Sequence, residues 1–236
     1  MYQDRQASLA VNSPFRAVAS LHAVLPLHAI APLRIGMLGL GTVGAGTYNV
    51  LQRNAELIAA RTGRSIDLVM VAVRNLDRAA RLVDGDVELV DDPFLVVNHP
   101  DIEVVVEAIG GTTLARDLVL QAIANGKHVV TANKALLAVH GSAIFAAAQA
   151  QGVVVAYEAA VAVSIPIIKA LREGLTANRI EWIAGIINGT TNYILSEMRD
   201  KGASFAAALA DAQAKGYAEA VPTFDVEGVD AAHKLT

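Results

Sequence analysis

One stretch decides the fold of this chain: Leu33-Arg34-Ile35-Gly36-Met37-Leu38-Gly39-Leu40-Gly41-Thr42-Val43-Gly44. Its apolar first half predicts a buried strand, and a helical pattern follows from residue 45 to about residue 61. When a strand, a glycine turn and a helix follow in this order, the helix N-terminus can hold a pyrophosphate. The alternative is a structural turn without a ligand. We predict a nicotinamide dinucleotide site that includes the turn residues Gly39, Gly41, Thr42, Val43 and Gly44.

Strand and helix patterns alternate beyond this turn. The further apolar runs that predict strands are 66–73, 102–109, 127–131 and 153–157. Helices are predicted between them, and the alternation indicates an α/β fold with a Rossmann-type, doubly wound parallel sheet. Ligands of such sheets bind outside the carboxyl ends of the strands. The polar residues at those ends are Thr112, Thr131, Asn133 and Lys134. A lysine at a strand end can simply be solvated, but we expect Lys134 to face the cleft of cofactor and substrate.

The end of the second strand bears on the choice between NADP and NAD. Strand 66–73 is followed by Arg74-Asn75, whereas an NAD site usually has an Asp or Glu there that binds the ribose 2′-hydroxyl. An arginine suits a 2′-phosphate because its guanidinium forms charge-assisted hydrogen bonds. We predict that NADP is preferred, with Arg74 as part of the site, while Asp77 nearby leaves NAD open.

These patterns divide the chain into three regions. Residues 1–32 combine arginines, serines and a broken apolar patch, and we expect an unstructured or adventitious extension there. Residues 33–162 form the predicted NAD(P)-binding domain. Residues 163–236 are interpreted as the N-terminal part of an incomplete α+β substrate and dimerisation domain, with a strand at 180–187 followed by two helices.

The composition indicates a small-molecule partner. Hydrophobic residues make up 54% of the 236 residues and charged residues 18%, and no apolar run is long enough to span a membrane. A net charge of −4 without a basic stripe argues against nucleic acid as a partner. Because the chain has no cysteine, dehydrogenases that form a thioester on a cysteine are excluded. We expect a cytoplasmic protein.

The last part of the sequence contains several acidic residues close to a lysine. If a helix begins after Gly228, Asp230 and Lys234 are four residues apart and share one helix face. An ordinary surface ion pair is one interpretation of that spacing. The other is a pair aimed at a small polar ligand, with Glu219 and Asp225 adding carboxylates to the same site.

Five motifs occur in the order found in homoserine dehydrogenases, and the chain resembles that family from about Leu33 onward. They are Gly39–Gly44, Val130–Lys134, Tyr157–Val161, Ile186–Tyr193 and the segment from Gly216 to Lys234. The resemblance implies reversible, NAD(P)-dependent oxidation of L-homoserine to L-aspartate 4-semialdehyde, a step toward threonine and methionine. It also implies a homo-oligomer, a dimer that forms through the substrate domain.

The resemblance implies roles for particular residues. Lys234 falls at the position of the general acid/base, and Lys134 at that of a second lysine that reaches cofactor and substrate. The positions where carboxylates hold the substrate are Glu219, Asp225 and Asp230. The position of a structural monovalent cation, commonly sodium, is matched by Glu158 and the backbone carbonyls of Val161, Val163 and Ile165. We further hypothesise that Asp230 holds the substrate ammonium, while Lys134 keeps Lys234 able to accept a proton.

Three departures from the family pattern bear on these implications. Val163-Ser164 replaces two glycines, and a Cβ at a position that needs positive φ would strain the cation loop. Val221 replaces an aspartate before Pro222, which removes one carboxylate. The chain also stops soon after Lys234, and we expect a truncated substrate domain. The alternative functions are a catalytically inactive NADP-binding fragment and a related amino-acid or dihydrodipicolinate-type reductase.

Overall fold

The computed structural model of the chain describes residues 30–235, which contain one parallel sheet. Its strands are β1 (Leu33–Leu38), β2 (Ile66–Ala72), β3 (Glu88–Val90), β4 (Val104–Glu107), β5 (His128–Thr131) and β6 (Val155–Ala156). They lie in the order β3-β2-β1-β4-β5-β6, and all neighbours run parallel. In sheets of this order, ligands bind in the crevice where the strand order reverses, here between β1 and β4. The predicted fold class is confirmed.

The α-helices lie between the strands and beyond the last of them, and Ala170–Gly174 form a π-helix. They are α1 (Thr42–Arg53), α2 (Ala55–Thr62), α3 (Leu76–Ala79), α4 (Pro93–Asn98), α5 (Leu114–Ala124), α6 (Lys134–Gln151), α7 (Glu158–Ala162), α8 (Ile167–Lys169), α9 (Gly189–Lys201), α10 (Phe205–Ala214), α11 (Thr223–Val226) and α12 (Val229–Leu235). The helix predicted over 45–61 is two helices, because Asn54 leaves helical geometry with φ −110° and ψ 18°. Helix α6 begins at Lys134, where the side chain of Asn133 caps it.

Apolar side chains cover both faces of the sheet. Along β2, Met70 and Ala72 belong to a buried cluster with helices α4 to α6, whereas Val71 belongs to a second cluster with Tyr48 of α1. Neighbouring residues of a strand point to opposite faces, so one strand contributes to both clusters. Because both faces are covered, the ends of the strands remain as the place for a ligand.

The segment beyond the sheet folds around a helical hairpin. Helices α9 and α10 bury Ile194 against Ala208 and Ala212. The predicted strand at 180–187 is wrong, since these residues adopt neither helix nor strand and Trp182 is 77% exposed. A strand needs a partner for its backbone groups, and within residues 30–235 none lies beside this segment.

The outer limits of the predicted regions are only partly covered by the structure. Residues 1–29 of the predicted extension, and Thr236, lie outside the described residues. The boundary between domains at residues 162 and 163 stays a prediction. Across the described residues, no helix is both long and apolar enough to cross a lipid bilayer.

Val163 has a backbone conformation that favours glycine, with φ 54° and ψ −92°. The expected positive φ at this position is confirmed, and a β-branched residue is strained there. Replacing Val163 by glycine is expected to raise the free energy of unfolding by about 1 kcal/mol, because the relieved strain exceeds the extra entropy cost of glycine. Chemical denaturation measures this difference.

Ala162→Gly is the matched control for this substitution. Ala162 is the last residue of α7 and has no positive φ. Glycine there should therefore lower stability by about 0.5–1 kcal/mol. Equal changes in the free energy of unfolding of the two variants would contradict the interpretation that Val163 is strained.

Candidate active site

The glycine turn between β1 and α1 has the geometry that its pattern predicts. Gly39 has a φ of 93°, and a Cβ there would lie 2.9 Å from the carbonyl oxygen of Ala108. A Cβ on Gly44 would lie 2.2 Å from the carbonyl oxygen of Gly39, so this glycine lets the helix pack on the turn. Apart from Gly41 itself and its two chain neighbours, no heavy atom of the described residues lies within 4 Å of a Cβ added to Gly41. The turn is closed toward the protein and open at its middle glycine, which leaves room for a pyrophosphate.

Helix α1 presents unsatisfied N–H groups beside this open position. It follows Gly41 without a side-chain cap and has no acidic residue in its first turn. Its first two residues, Thr42 and Val43, are exposed. The first N–H groups of a helix lack intrahelical partners and carry partial positive charge, so they stabilise an anion. This end of α1 can hold a phosphate group.

A cleft of about 540 Å³ extends from the glycine turn to the ends of β2 and β4. The residues that line it include Gly39, Gly41, Arg74, Asn75, Arg78, Ile109 and Gly110. The guanidinium groups of Arg74 and Arg78 form no hydrogen bond or ion pair with residues 30–235. Two unpaired cations at the end of β2 give this part of the cleft an affinity for an anion.

Arg78 is a cleft residue that sequence interpretation missed. The backbone N–H of Arg78 donates to the side chain of Asn75 at 2.9 Å, which starts the short helix α3. The sequence feature that could have indicated Arg78 is its position four residues after Arg74.

Asp77 and Thr112 are not among the residues that line the cleft. The predicted contact of Thr112 with the cofactor therefore stays a prediction.

Two lysines from distant parts of the chain meet at one carboxylate. Lys134 is the first residue of α6, and Lys234 lies in the last turn of α12. The ammonium of Lys134 donates to Oδ1 of Asp230, and that of Lys234 donates to Oδ2 at 2.8 Å. The side chains are largely buried, with exposed fractions of 28% for Lys134, 15% for Asp230 and 24% for Lys234. The spacing of Asp230 and Lys234 thus makes an ion pair that is not an ordinary surface pair.

Asp230 is held as an anion at neutral pH. Burial by itself raises the pKa of Asp230, but hydrogen bonds from the two lysines and from Asn188 outweigh burial and hold that pKa well below its usual range. Both carboxylate oxygens accept from these donors. The hypothesised contact of Asp230 with a substrate ammonium remains a hypothesis, and its partners in the structure are the lysines.

Asn188 connects two carboxylates of the site and was not predicted as a site residue. As the N-cap of α9, its Oδ1 accepts from the backbone N–H of Thr191 at 2.8 Å. Its Nδ2 donates to Oδ1 of Asp225 at 2.7 Å and to Oδ2 of Asp230 at 2.9 Å. One amide thus joins the start of α9 to α11 and α12. An asparagine before a helix predicts the cap, but the sequence does not show what the Nδ2 group bonds.

The structure brings Asp225 into this cluster but not Glu219. Glu219 lies in the loop between α10 and α11, where its backbone carbonyl accepts from the side chain of Gln213 at 3.0 Å. Its exposed carboxylate forms no hydrogen bond or ion pair with the part of the chain that the structure describes. The role of Glu219 in holding the substrate stays a prediction.

Two of the four residues predicted to hold a cation already accept backbone N–H groups. Both carboxylate oxygens of Glu158 accept backbone N–H groups of the α8 segment, at 2.8 and 2.9 Å. The carbonyl oxygen of Ile165 accepts from the N–H of Ile167 at 2.8 Å. Val163 is 77% exposed, and Val161 lies within α7. Hard cations bind several oxygens that point at one centre, and the predicted cation site stays a prediction.

Known protein families match both parts of the chain. Residues 39–158 match the family model described as homoserine dehydrogenase, NAD binding domain, and residues 166–236 match the model described as homoserine dehydrogenase. The chain belongs to the homoserine dehydrogenase family. The resemblance carried by the five motifs is confirmed, and homoserine dehydrogenases are NAD(P)-dependent oxidoreductases.

Individual homoserine dehydrogenases agree with the family models. The protein of Pseudomonas aeruginosa is 63% identical over 205 residues, which are 87% of this chain and 47% of that protein. A crystal structure from Thiobacillus denitrificans has a TM-score of 0.80 and 68% identity, covering 86% of this chain and 47% of that one. A hyperthermophilic archaeal homoserine dehydrogenase in complex with NADPH has a TM-score of 0.69 and 25% identity, covering 86% of this chain and 67% of that one. The chain spans about half the length of the first two relatives.

Proposed function

We propose that the chain carries the nucleotide-binding and catalytic residues of a homoserine dehydrogenase. The reaction is the reversible oxidation of L-homoserine to L-aspartate 4-semialdehyde with NAD(P), on the route to threonine and methionine. The observation that carries this proposal is the meeting of Lys134 and Lys234 at Asp230. Because α6 starts just beyond β5, this meeting point lies at the edge of the sheet where doubly wound folds bind their ligands.

Lys234 is the proposed general acid/base. NADP, when bound, supplies the hydride acceptor or donor. An alcohol that loses a hydride must also lose its hydroxyl proton, so a base is needed within hydrogen-bond reach. The Nζ atom of Lys234 is fixed by Oδ2 of Asp230 and by the carbonyl oxygen of Ile187, both at 2.8 Å. These two acceptors fix the position of the nitrogen, which acid/base catalysis requires.

The remaining site residues are proposed to bind and orient the substrate. Lys134 contacts it from the side of the cofactor, since α6 begins beside the strand ends that border the cleft. Asp225 and Glu219 are proposed to accept the substrate ammonium in charge-assisted hydrogen bonds. Oδ1 of Asp225 is occupied by Asn188, and Oδ2 has no hydrogen-bond partner in residues 30–235.

One assay tests the proposed reaction. Oxidation of L-homoserine by the purified chain is followed through the absorbance of NADPH, beside a fluorescence titration of NADPH binding. Turnover that requires both homoserine and the nucleotide supports the proposal. Binding of NADPH without turnover would contradict it and favour a nucleotide-binding module.

We infer that NADP is preferred over NAD, because Arg74 and Arg78 are unpaired in the cleft. The archaeal relative was solved with NADPH. Replacing Arg74 by serine is expected to weaken NADPH binding by about ten- to a hundredfold, since a charge-assisted hydrogen bond to the 2′-phosphate is lost. NADH binding is expected to change by less than about twofold, because NADH lacks that phosphate. Fluorescence titrations with both nucleotides measure the difference.

Arg81→Ser is the matched control for the Arg74 variant. Arg81 belongs to the same segment but does not line the cleft. Its replacement should leave both dissociation constants within about twofold of the wild type. Equal losses of NADPH and NADH affinity in the Arg74 variant would contradict a contact with the 2′-phosphate.

A monovalent cation such as sodium, held by Glu158 and the carbonyl oxygens of Val161, Val163 and Ile165, stays a prediction. The oxygens of Glu158 and Ile165 would bind it beside the backbone N–H groups that they accept. A dimer that forms through residues 163–236 stays a proposal, which the exposed side chains of Trp182 and Ile186 support. Analytical ultracentrifugation tests it, and a monomer at all concentrations would contradict it. A cytoplasmic location also remains a prediction.

A further inference from the structure

A buried carboxylate at the end of β4 has no part in the chemistry proposed above. Glu107 is the last residue of β4 and is 0% exposed. Removing a carboxylate from water is costly unless hydrogen bonds replace the lost solvent. The donors that surround Glu107 therefore show which parts of the molecule it connects.

These donors come from the loop after β4 and from the end of β5. Oε1 accepts the backbone N–H groups of Ile109 at 3.1 Å and Gly110 at 3.0 Å, in the loop after β4. Oε2 accepts from the hydroxyl of Thr131 at 2.5 Å, at the end of β5. The same hydroxyl accepts from the N–H of Asn133 at 3.0 Å. One carboxylate thus ties the loop after β4 to the turn after β5.

Asn133 extends this connection to α6. Its Nδ2 donates to the carbonyl oxygen of Gly111 at 2.7 Å and lies 3.5 Å from Oε1 of Glu107. Its Oδ1 caps α6 by accepting from the N–H of Leu136 at 3.1 Å. Lys134 is the first residue of α6, so its position depends on this cap.

The loop after β4 borders the nucleotide cleft, and the turn after β5 leads to one of the two lysines of the proposed site. Ile109 and Gly110 line the nucleotide cleft, and the turn after β5 leads into Lys134. A shift of one loop against the other would change the distance between the cleft wall and the lysine. Catalytic geometry tolerates little displacement of this kind.

We propose that Glu107 is a positioning residue. It holds the wall of the nucleotide cleft and the start of α6 in a fixed relation, without touching cofactor or substrate. The inference rests on the proposed function, since it assumes that NADP binds in this cleft. The competing explanation is a carboxylate that stabilises the fold without any specific effect on the site.

Lys127 is a suitable control for the competing explanation, because it is a buried charged residue that does not line the nucleotide cleft. It is 4% exposed at the opposite end of the sheet, just before β5, and donates to the carbonyl oxygens of His99 at 2.5 Å and Ile102 at 2.7 Å. It is likewise a buried charge that ties loops together. Its two partners do not line the nucleotide cleft.

The test compares Glu107→Gln with Lys127→Met in the full chain, by melting temperature and by the dissociation constant of NADPH. Glutamine keeps the shape and one acceptor oxygen, but its amide nitrogen cannot accept the Thr131 hydroxyl. Both variants are expected to melt at lower temperature. We expect E107Q to weaken NADPH binding about tenfold and K127M to change it less than about twofold. Equal shifts in the two variants, or no shift in either, would overturn the proposal.

Thr131→Val and Thr131→Ser give a second test that leaves the carboxylate in place, and they decide the matter if E107Q does not fold. Valine removes the hydroxyl, whereas serine restores it. T131V is expected to weaken NADPH binding by about three- to tenfold, and T131S to stay within about twofold of the wild type. Equal binding by both variants would overturn the proposal. Intact NADPH binding without homoserine turnover in the wild-type chain would count against the proposed reaction but not against the role of Glu107.

Discussion

Replacing Lys234 by alanine is expected to reduce the turnover of L-homoserine oxidation by roughly two to four orders of magnitude, the range for a lost acid/base group. The variant removes the amine that Asp230 and the carbonyl of Ile187 hold in place. NADPH binding is expected to stay within about twofold, because an interaction needed only in the transition state affects turnover and not cofactor binding. Lys234 does not line the nucleotide cleft, which agrees with that expectation. Steady-state kinetics and an NADPH titration measure the two quantities.

Lys215 offers a control because it forms an ion pair of the same spacing and distance at a more exposed position. Asp211 lies on α10 and Lys215 directly follows that helix, four residues later; their charged atoms are 2.8 Å apart, as in the pair of Lys234 and Asp230. The α10 pair contacts Tyr193 and does not line the cleft. Turnover of Lys215→Ala is therefore expected to stay within about twofold of the wild type. Near wild-type turnover of K234A, or an equal loss in K215A, would remove Lys234 from the mechanism.

The nucleotide-binding half was predictable because its constraints are local. Gly39 and Gly44 are required by contacts within the turn and with the loop after β4, and such contacts select glycine directly. Strand β3 was missed because three residues are too few to show a period. The strand predicted at 180–187 was wrong because an apolar run indicates burial, while pairing also requires a neighbouring strand.

In the candidate site, residue spacing predicted only the contact between residues that are close in sequence. Asp230 and Lys234 pair because they are one helical turn apart. The contact of Lys134 with Asp230 joins residues 96 positions apart and depends on how α12 packs near α6. The strand end and the family resemblance both indicated Lys134, but neither indicated the bridge through Asn188 or the buried Glu107. Partners of a buried amide or carboxylate are set by tertiary packing, which residue spacing does not encode.

Replacing Asp230 by asparagine is expected to lower the free energy of unfolding by about 2–3 kcal/mol at neutral pH. The amide keeps the shape of the side chain but leaves two ammonium groups close together without the negative charge between them. Because these side chains are largely buried, solvent screens their repulsion poorly. Chemical denaturation measures the loss. Asp77→Asn, which removes an exposed carboxylate outside the cleft, is the control and should change stability by less than about 0.5 kcal/mol.

The same variant should show a pH dependence whose sign follows from the pKa of Asp230. Hydrogen bonds hold this pKa below its usual range, so the folded chain keeps the carboxylate ionised where the unfolded chain protonates it, near about pH 4. The stabilisation by Asp230 is therefore complete above that pH and is lost as pH falls toward the folded-state pKa. Since asparagine does not titrate, the difference between wild type and variant should shrink as pH falls below about 4. A difference that stays constant from neutral pH to about pH 3 would mean that asparagine disturbs packing, and that the lysine pair does not depend on the charge at position 230.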